Sequence, residues 1–167
     1  MHKEAMAYIS SQTRRNFLNV AGVRVLDLGG RNVNGTPRHL YRRAAAYVAV
    51  DIADGPGVDI VADAATLELG ERFHVVLSTE LLEHTPLGAE IVATAARHLM
   101  PGGTFLATMA GPGRAPHGAA GDPKPLRGEY YRNVEPAALH GWLRAAGFQT
   151  WDVNQLGTDL RCRAEAA

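Results

Sequence analysis

The stretch Val23–Gly35, V-R-V-L-D-L-G-G-R-N-V-N-G, constrains this chain more than any other. Val23, Val25, Leu26 and Leu28 form a short apolar run, long enough for one buried strand. Asp27 stands near its end, Gly29 and Gly30 break it, and Gly35 ends the loop. Thr36-Pro37 then supplies a capping hydroxyl and a proline suited to the first turn of a helix. A strand, a glycine turn and a helix start therefore lie close together. Glycine lets a ligand approach the backbone, and a helix start favours an anionic group. In an open α/β sheet, such a corner is where a nucleotide-like cofactor sits.

The remaining chain reads as the rest of such a sheet. His2–Val20 predicts an amphipathic helix, with Ala5, Tyr8, Ile9, Gln12 and Leu18 at loose helical spacing and Arg14-Arg15 outward. Pro37–Arg43 predicts a short helix, and Ala46–Ile52 a second strand buried on both faces. Ala53–Val58 is a turn, Asp59–Asp63 a short third strand, and Ala64–Gly70 a turn or short helix. His74–Thr79 is the fourth strand, followed by a tight piece at Glu80–His84. Thr85-Pro86 repeats the cap-and-proline signal ahead of a helix over Leu87–Leu99, whose Leu87, Ile91, Ala95 and Leu99 face the sheet. Pro101-Gly102-Gly103 stops that helix, and Thr104–Ala110 is the fifth strand.

Gly111–Val134 has no hydrophobic period and is rich in glycine and proline, as expected of a functional loop. Glu135-Pro136 opens a helix with Leu139, Trp142, Leu143 and Ala146 on one face and Gly147 as its stop. Phe148–Val153 and Thr158–Ala164 alternate and read as a closing antiparallel hairpin turning at Gly157. The fold class is α/β: a single Rossmann-like, doubly wound sheet with helices on both faces. It is mostly parallel, with an antiparallel strand from the C-terminal hairpin. Residues 1–20 form a helix packed on a domain spanning 21–167.

Charge and cysteine usage narrow the partners. The 17 basic and 17 acidic residues cancel, which argues against a general nucleic-acid binder. The first 43 residues are the basic part, with eight Lys/Arg against Glu4 and Asp27. Cys162 is the only cysteine, so no internal disulfide forms. No apolar run approaches a membrane span, and Met1–Ser10 has no signal-peptide core, so the expected compartment is the cytoplasm.

Chemistry is expected at the carboxyl ends of the strands. Asp27, Asp51 and Asp63 each close one of the first three strands, and Ser78–His84 follows the fourth. One such acid is an ordinary turn residue; three in succession form a pattern. A carboxylate after the second strand can accept from both hydroxyls of a ribose, and one after the third from an exocyclic amine.

These residues resemble a class I S-adenosylmethionine-dependent methyltransferase of the small type without an inserted substrate domain. Val25–Gly30, Tyr47–Asp51, Ser78–Thr85 (S-T-E-L-L-E-H-T) and Leu99–Thr104 (L-M-P-G-G-T) carry the resemblance. It spans about residues 20–165. The resemblance implies S-adenosylmethionine as cofactor and S-adenosylhomocysteine as product. Asp27, Gly29, Gly30 and Glu80 would line the methionyl end, Asp51 and Ile52 the ribose, and Asp63 and Ala64 the adenine. One departure stands out: Arg31 and Val33 replace later glycines of the family turn D-x-G-x-G-x-G. Arg31 is left with three roles: to point away, to bind the methionyl carboxylate or substrate, or to obstruct the site.

Methyl transfer is an in-line displacement, for which the protein chiefly supplies alignment and a dry, suitably charged site. A base is needed only where the acceptor must lose a proton first. His84 and His117 are the candidates, against plain roles as a turn residue and an exposed loop residue. Tyr130 and Tyr131 either contact an acceptor or pin the loop. H-x-x-H and C-x-x-C spacings are absent, so no metal is expected. The expected partner is an unidentified, small-molecule methyl acceptor, in a pocket either open or completed by a second copy in a homodimer. The alternatives are a cofactor-binding module without catalysis, motivated by Arg31, and a nicotinamide-dependent oxidoreductase, disfavoured by the lack of G-x-G-x-x-G. A nucleic-acid methyltransferase is disfavoured by the lack of a D/N-P-P-Y/F motif.

Overall fold

The computed structural model describes residues 3–16 and 21–167. In chain order the elements are α1 (Lys3–Asn16), β1 (Arg24–Leu28), β2 (Ala46–Asp51), β3 (Ile60–Val61), β4 (Phe73–Thr79), α2 (Gly88–His98), β5 (Leu99–Ala110), α3 (Pro136–Ala145), β6 (Thr150–Leu156) and β7 (Asp159–Glu165). All seven strands form one sheet in the order β3-β2-β1-β4-β5-β7-β6. The first five pair in parallel, and β7 pairs antiparallel with both β5 and β6. Succession runs outward from β1 in one direction through β2 and β3, and in the other from β4 through β5. The switch between β1 and β4 leaves a crevice at their carboxyl ends.

Side chains alternate across the sheet as strand geometry requires. Leu26, Leu28, Val76, Phe105 and Ala107 pack on one face with Ile91, Ala95, Leu139 and Leu143 of the helices. Val25, Val75, Leu77 and Leu106 pack on the other with Tyr8 and Ile9 of α1 and with Tyr41. The strands at the centre are thus covered on both sides, and this layered core fixes the crevice. Phe105 is fully buried and stacked on Phe148; truncating it to alanine would cost about 3–5 kcal/mol.

Several boundaries depart from the sequence reading. The first helix is described from Lys3 to Asn16; His2 and residues 17–20, including Leu18, lie outside the described residues. Ser11 and Thr13 do not break α1, because their hydroxyls donate to the carbonyls of Tyr8 and Ile9 at 2.8 Å. Pro37–Tyr41 is a 3-10 helix rather than an α-helix through Arg43, capped by Thr36 Oγ1 accepting from the Arg38 N–H. Residues 64–70 hold only turns, and β3 is two residues long rather than five.

Thr85-Pro86 does not cap α2. Thr85 Oγ1 accepts from the Leu87 N–H at 3.0 Å, just ahead of the helix, which begins at Gly88. Leu87 therefore stays exposed instead of facing the sheet. The P-G-G segment is not the gap between α2 and β5 but a bulge inside β5. Leu99 pairs with Phe73 and Thr104 with Val75, so the intervening residues loop out. Gly102 takes φ +71° there, a conformation open to glycine.

Candidate functional site

A cavity of about 650 Å3 opens at the carboxyl ends of β1, β2 and β4, within the usual size of a small-molecule site. Asp27, Gly29, Gly30, Arg31, Asp51, Ile52, Asp63, Ala64, Glu80, His84 and His117 all line it. The acids that sequence placed at three strand ends thus share one crevice.

The turn after β1 explains how the chain comes so close. The N–H groups of Gly29 and Gly30 both donate to Val50 O, at 2.8 and 3.0 Å, clamping the turn onto β2. A Cβ on Gly30 would lie 2.7 Å from Ala49 Cβ and 3.1 Å from Asp27 Oδ2. Gly29 holds φ +76° beneath Leu81. Each glycine is therefore required where it stands.

Asp27 is wholly buried. Its Oδ2 accepts from the Tyr47 hydroxyl at 2.6 Å, while Oδ1 has no hydrogen-bond partner among the described residues. Burial pushes its carboxyl up to about 7, against the hydrogen bond from Tyr47. A buried, half-satisfied acceptor on a cavity wall is suited to a cationic or N–H-bearing ligand.

Asp51 is held by its own turn: Oδ2 accepts from the Arg31 N–H at 3.2 Å and Oδ1 from the Ala53 N–H at 3.0 Å. Each carboxylate oxygen keeps a further lone pair for a ligand hydroxyl. Asp63 Oδ1 accepts from the Ala65 N–H at 2.9 Å. Beside them Ile52 is 73% exposed, an apolar surface on the cavity wall. Arg31 does not fill the crevice. Its aliphatic stem runs along Gly55, where a Cβ would meet Arg31 Cδ at 2.8 Å. Arg31 lines the cavity without closing it.

The neighbouring part of the wall is built from the turn after β4. Glu80 has φ +55°, the only positive value at a non-glycine among the described residues. Its N–H donates to Thr108 O at 2.8 Å, tying the turn to β5. Such strain at a cavity wall is characteristic of functional turns. The chain then enters a short 3-10 helix over Leu82–His84. Glu83 is wholly buried; Oε1 accepts from the Ala110 N–H at 3.0 Å, and Oε2 has no hydrogen-bond partner among the described residues. Burial, and then the Glu80 charge, raise its carboxyl well above the usual range. His84 is pushed down to about 4, first by burial and then by His117, so its imidazole is neutral at pH 7.

The long loop closes over this part of the wall. Gly111 and Val134 mark its ends, and the Val134 N–H donates to Ala110 O at 2.8 Å, pinching them together. Arg114 anchors the first limb: its Nε donates to Thr158 Oγ1 at 2.9 Å, and its guanidinium pairs with Asp159 and lies 3.7 Å from Glu80 Oε2. The Arg132 N–H donates to Glu83 O at 2.9 Å on the return limb. His117 is thereby set edge-on to His84, with ring centroids 5.0 Å apart. Tyr131 packs on both imidazoles, at 5.4 and 4.9 Å, and its hydroxyl donates to Ala115 O at 3.3 Å. Tyr131 therefore pins the loop and buttresses the histidines. Tyr130 lies outside the cavity lining and is exposed.

Sequence reasoning missed other wall residues: Val33, Asn34 and Thr36 from the first loop, and Leu87 and Ile91 at α2; from the long loop, expected as a whole to cover the acceptor, Gly118, Ala119, Gly121, Asp122 and Pro123 join His117 in the wall. Glu83 was in view only as part of E-L-L-E-H-T, and its burial carried no sequence signal. The chain spacing offers no metal ligands, yet Glu83, His84 and His117 present ligand atoms that all lie within 4.8 Å of one another.

Known proteins resemble this chain in sequence and in fold. A ubiquinone biosynthesis O-methyltransferase of Nitrosococcus oceani is 29% identical over 85% of this chain and 70% of its own length. The 1,6-didemethyltoxoflavin-N1-methyltransferase of Burkholderia thailandensis, solved with 1,6-didemethyltoxoflavin and S-adenosylhomocysteine, superposes with a TM-score of 0.71. It is 20% identical, over 97% of this chain and 78% of its own. The magnesium protoporphyrin IX methyltransferase of Synechocystis, solved with bound S-adenosylmethionine, also reaches 0.71 at 14% identity, covering 99% of this chain and 80% of its own. A family profile described as a methyltransferase domain matches residues 1–153. The chain belongs to that methyltransferase family, as a Rossmann-like class I enzyme that uses S-adenosylmethionine.

Proposed function

We propose that this methyltransferase moves its methyl group to a hydroxyl of a small molecule held between the cofactor and the loop 111–134. The observation that carries the reading is that one cavity is lined both by the strand-end acids Asp27, Asp51 and Asp63 and by Glu80, His84 and His117. Asp27, Gly29 and Gly30 suit the methionyl amine and the main-chain approach of the cofactor. Asp51 suits the ribose hydroxyls, Ile52 an apolar ring face, and Asp63 with Ala64 the adenine edge. Glu80, His84 and His117 suit the part of the same wall where the sulfonium meets its acceptor.

Several features favour oxygen and a small acceptor. The relative from Nitrosococcus oceani is named as an O-methyltransferase of ubiquinone biosynthesis. The neutral imidazole of His84 can accept a hydrogen bond from an acceptor O–H and so orient its oxygen towards the methyl group. The cavity must hold cofactor and acceptor together, which favours a compact partner. Arg31, at the cofactor end of the wall, supplies a cation for an acidic group of either ligand. Tyr131 acts through the two histidines rather than by touching the acceptor, and Tyr130 has no part in it.

The even charge balance does not favour a nucleic acid as the partner. No helix among the described residues is long and apolar enough to cross a membrane. The reading places the enzyme in the cytoplasm, where the lone buried Cys162 needs no partner. Exposed Leu87 and Val33 at the cavity rim supply an apolar contact for an acceptor or for a second subunit.

Calorimetry with S-adenosylmethionine and S-adenosylhomocysteine tests the cofactor half. A panel of small phenols and aliphatic alcohols, with S-adenosylhomocysteine release as readout, tests the other. The reading predicts micromolar cofactor binding and turnover of at least one hydroxyl acceptor. Binding of neither compound at millimolar concentration ends it; cofactor binding with turnover only of amines or thiols ends the oxygen assignment.

A further inference from the structure

We propose that Glu83, His84 and His117 form a binding site for a divalent transition metal, and that the bound ion staples the long loop to the turn after β4. Their ligand atoms lie within 4.8 Å of one another. Two of the three donors are also held in a state that needs explaining. Glu83 is wholly buried, and its Oε2 lacks a hydrogen-bond partner among the described residues; so does the buried Nδ1 of His84. Buried polar atoms without partners are uncommon, and each costs about 1–3 kcal/mol. An ion between the three residues would satisfy both atoms at once.

The donors are fixed by separate elements. Glu83 Oε1 is occupied by the Ala110 N–H at the end of β5, which leaves Oε2 as the atom on offer. His84 follows directly and lines the cavity. His117 comes from the long loop, placed by the Arg114 anchor and the Tyr131 ring. Two of the ligands therefore belong to the sheet side and one to the loop, so an ion held by all three joins them.

The donor set selects the metal. Two imidazoles and one carboxylate suit Zn2+, Mn2+ or Co2+ at bonds of about 2.0–2.2 Å, whereas Mg2+ and Ca2+ prefer oxygen. Because three protein ligands leave positions open, an acceptor oxygen can complete the shell. Here the inference rests on the proposed reading of the acceptor. A bound ion would lower the pKa of the coordinated hydroxyl, which then loses its proton to solvent. The resulting oxygen takes the methyl from the sulfonium, whose bonding pair returns to sulfur and leaves S-adenosylhomocysteine. The site itself rests on side-chain placement alone.

The experiment separates the two. The full chain is stripped with a chelator and titrated with Zn2+, Mn2+ and Mg2+ by calorimetry, and with Co2+ by visible absorption. One equivalent of Zn2+ or Mn2+ is expected, at least tenfold tighter than Mg2+. Glu83→Gln and His117→Ala should each weaken it tenfold or more, whereas His39→Ala, at an exposed histidine outside the cavity lining, should not. His117 stands on the loop, so its variant remains informative if the buried Glu83 variant fails to fold. Mn2+ should also slow tryptic cleavage after Arg127 severalfold in the parent chain and not in His117→Ala. Absence of stoichiometric binding, or binding that survives both substitutions, overturns the site. Binding with unchanged cleavage overturns the staple. S-adenosylhomocysteine affinity, measured on the same samples, reports separately on the cofactor pocket.

Discussion

The Tyr47 hydroxyl donates to the buried Asp27 carboxylate at 2.6 Å, behind the wall of the cofactor cavity. The bond answers one of two oxygens, and burial still holds the carboxyl at about 7 against an ordinary value of 3.8. A carboxyl raised on folding removes stability as pH climbs from about 4 to about 7, and the loss stays in full above that. Asp27→Asn keeps an acceptor for Tyr47 and has no charge to bury. It should raise Tm by several degrees at pH 8, with the gain shrinking towards pH 4, in thermal scans across that range. The same variant should weaken S-adenosylmethionine binding, because the cationic methionyl amine loses its counter-charge.

Asp51 should govern cofactor affinity directly. Loss of one or two charge-assisted hydrogen bonds to ribose is worth about 1.5–3 kcal/mol each. Asp51→Ala is therefore expected to raise the S-adenosylhomocysteine Kd ten- to a hundredfold by calorimetry. Tm should also fall by a few degrees, since the N–H groups of Arg31 and Ala53 lose their acceptor.

Gly30→Ala should fail for a different reason. The added methyl would stand 2.7 Å from Ala49 Cβ, closer than carbon atoms approach. Overpacking of this kind costs about 1–3 kcal/mol. Denaturant titration should show that loss, and cofactor binding should fall with it, since the turn must lift away from β2. The same substitution at Gly141, where a Cβ would meet nothing within 4 Å, is the matched control and should leave binding unchanged.

Arg114→Ala should release the loop. The guanidinium is 14% exposed and the partner Asp159 side chain 7%; its removal leaves Asp159 only Arg161 among the described residues, at 3.7 Å, at a cost of about 1–3 kcal/mol. Trypsin should cut after Arg127 faster than in the parent chain. Transfer to the acceptor should slow more than cofactor affinity falls, because Asp51 and Asp63 are held by their own turns and not by the loop.

The sheet and the cofactor end are legible in the sequence for one reason: local signals and the strand-end rule point to the same residues. Asp27, Asp51 and Asp63 each follow an apolar run, and a parallel sheet delivers all such ends to one edge. The acceptor end is not legible in this way. His117 and His84 are brought together by a loop whose path depends on Arg114 reaching Asp159, a contact 45 residues apart in sequence. Neighbouring tyrosines separate because the loop turns Tyr131 onto the imidazoles and leaves Tyr130 in solvent. Glu83 is hidden by its type, since acids are almost never wholly buried. The bulge at P-G-G reads as a stop because its glycines and proline suit either role. Arg31 in a glycine position reads as an obstacle until the opposing Gly55 shows where its stem can lie.

The hydrogen bond from Val134 to Ala110 clasps the long segment at its base. What lies beyond that clasp can vary in length without transmitting force to β5 or α3, provided Arg114 keeps Asp159 and Arg132 keeps the Glu83 carbonyl. The scaffold can therefore retune its acceptor by altering the loop tip while the strand-end acids stay in place.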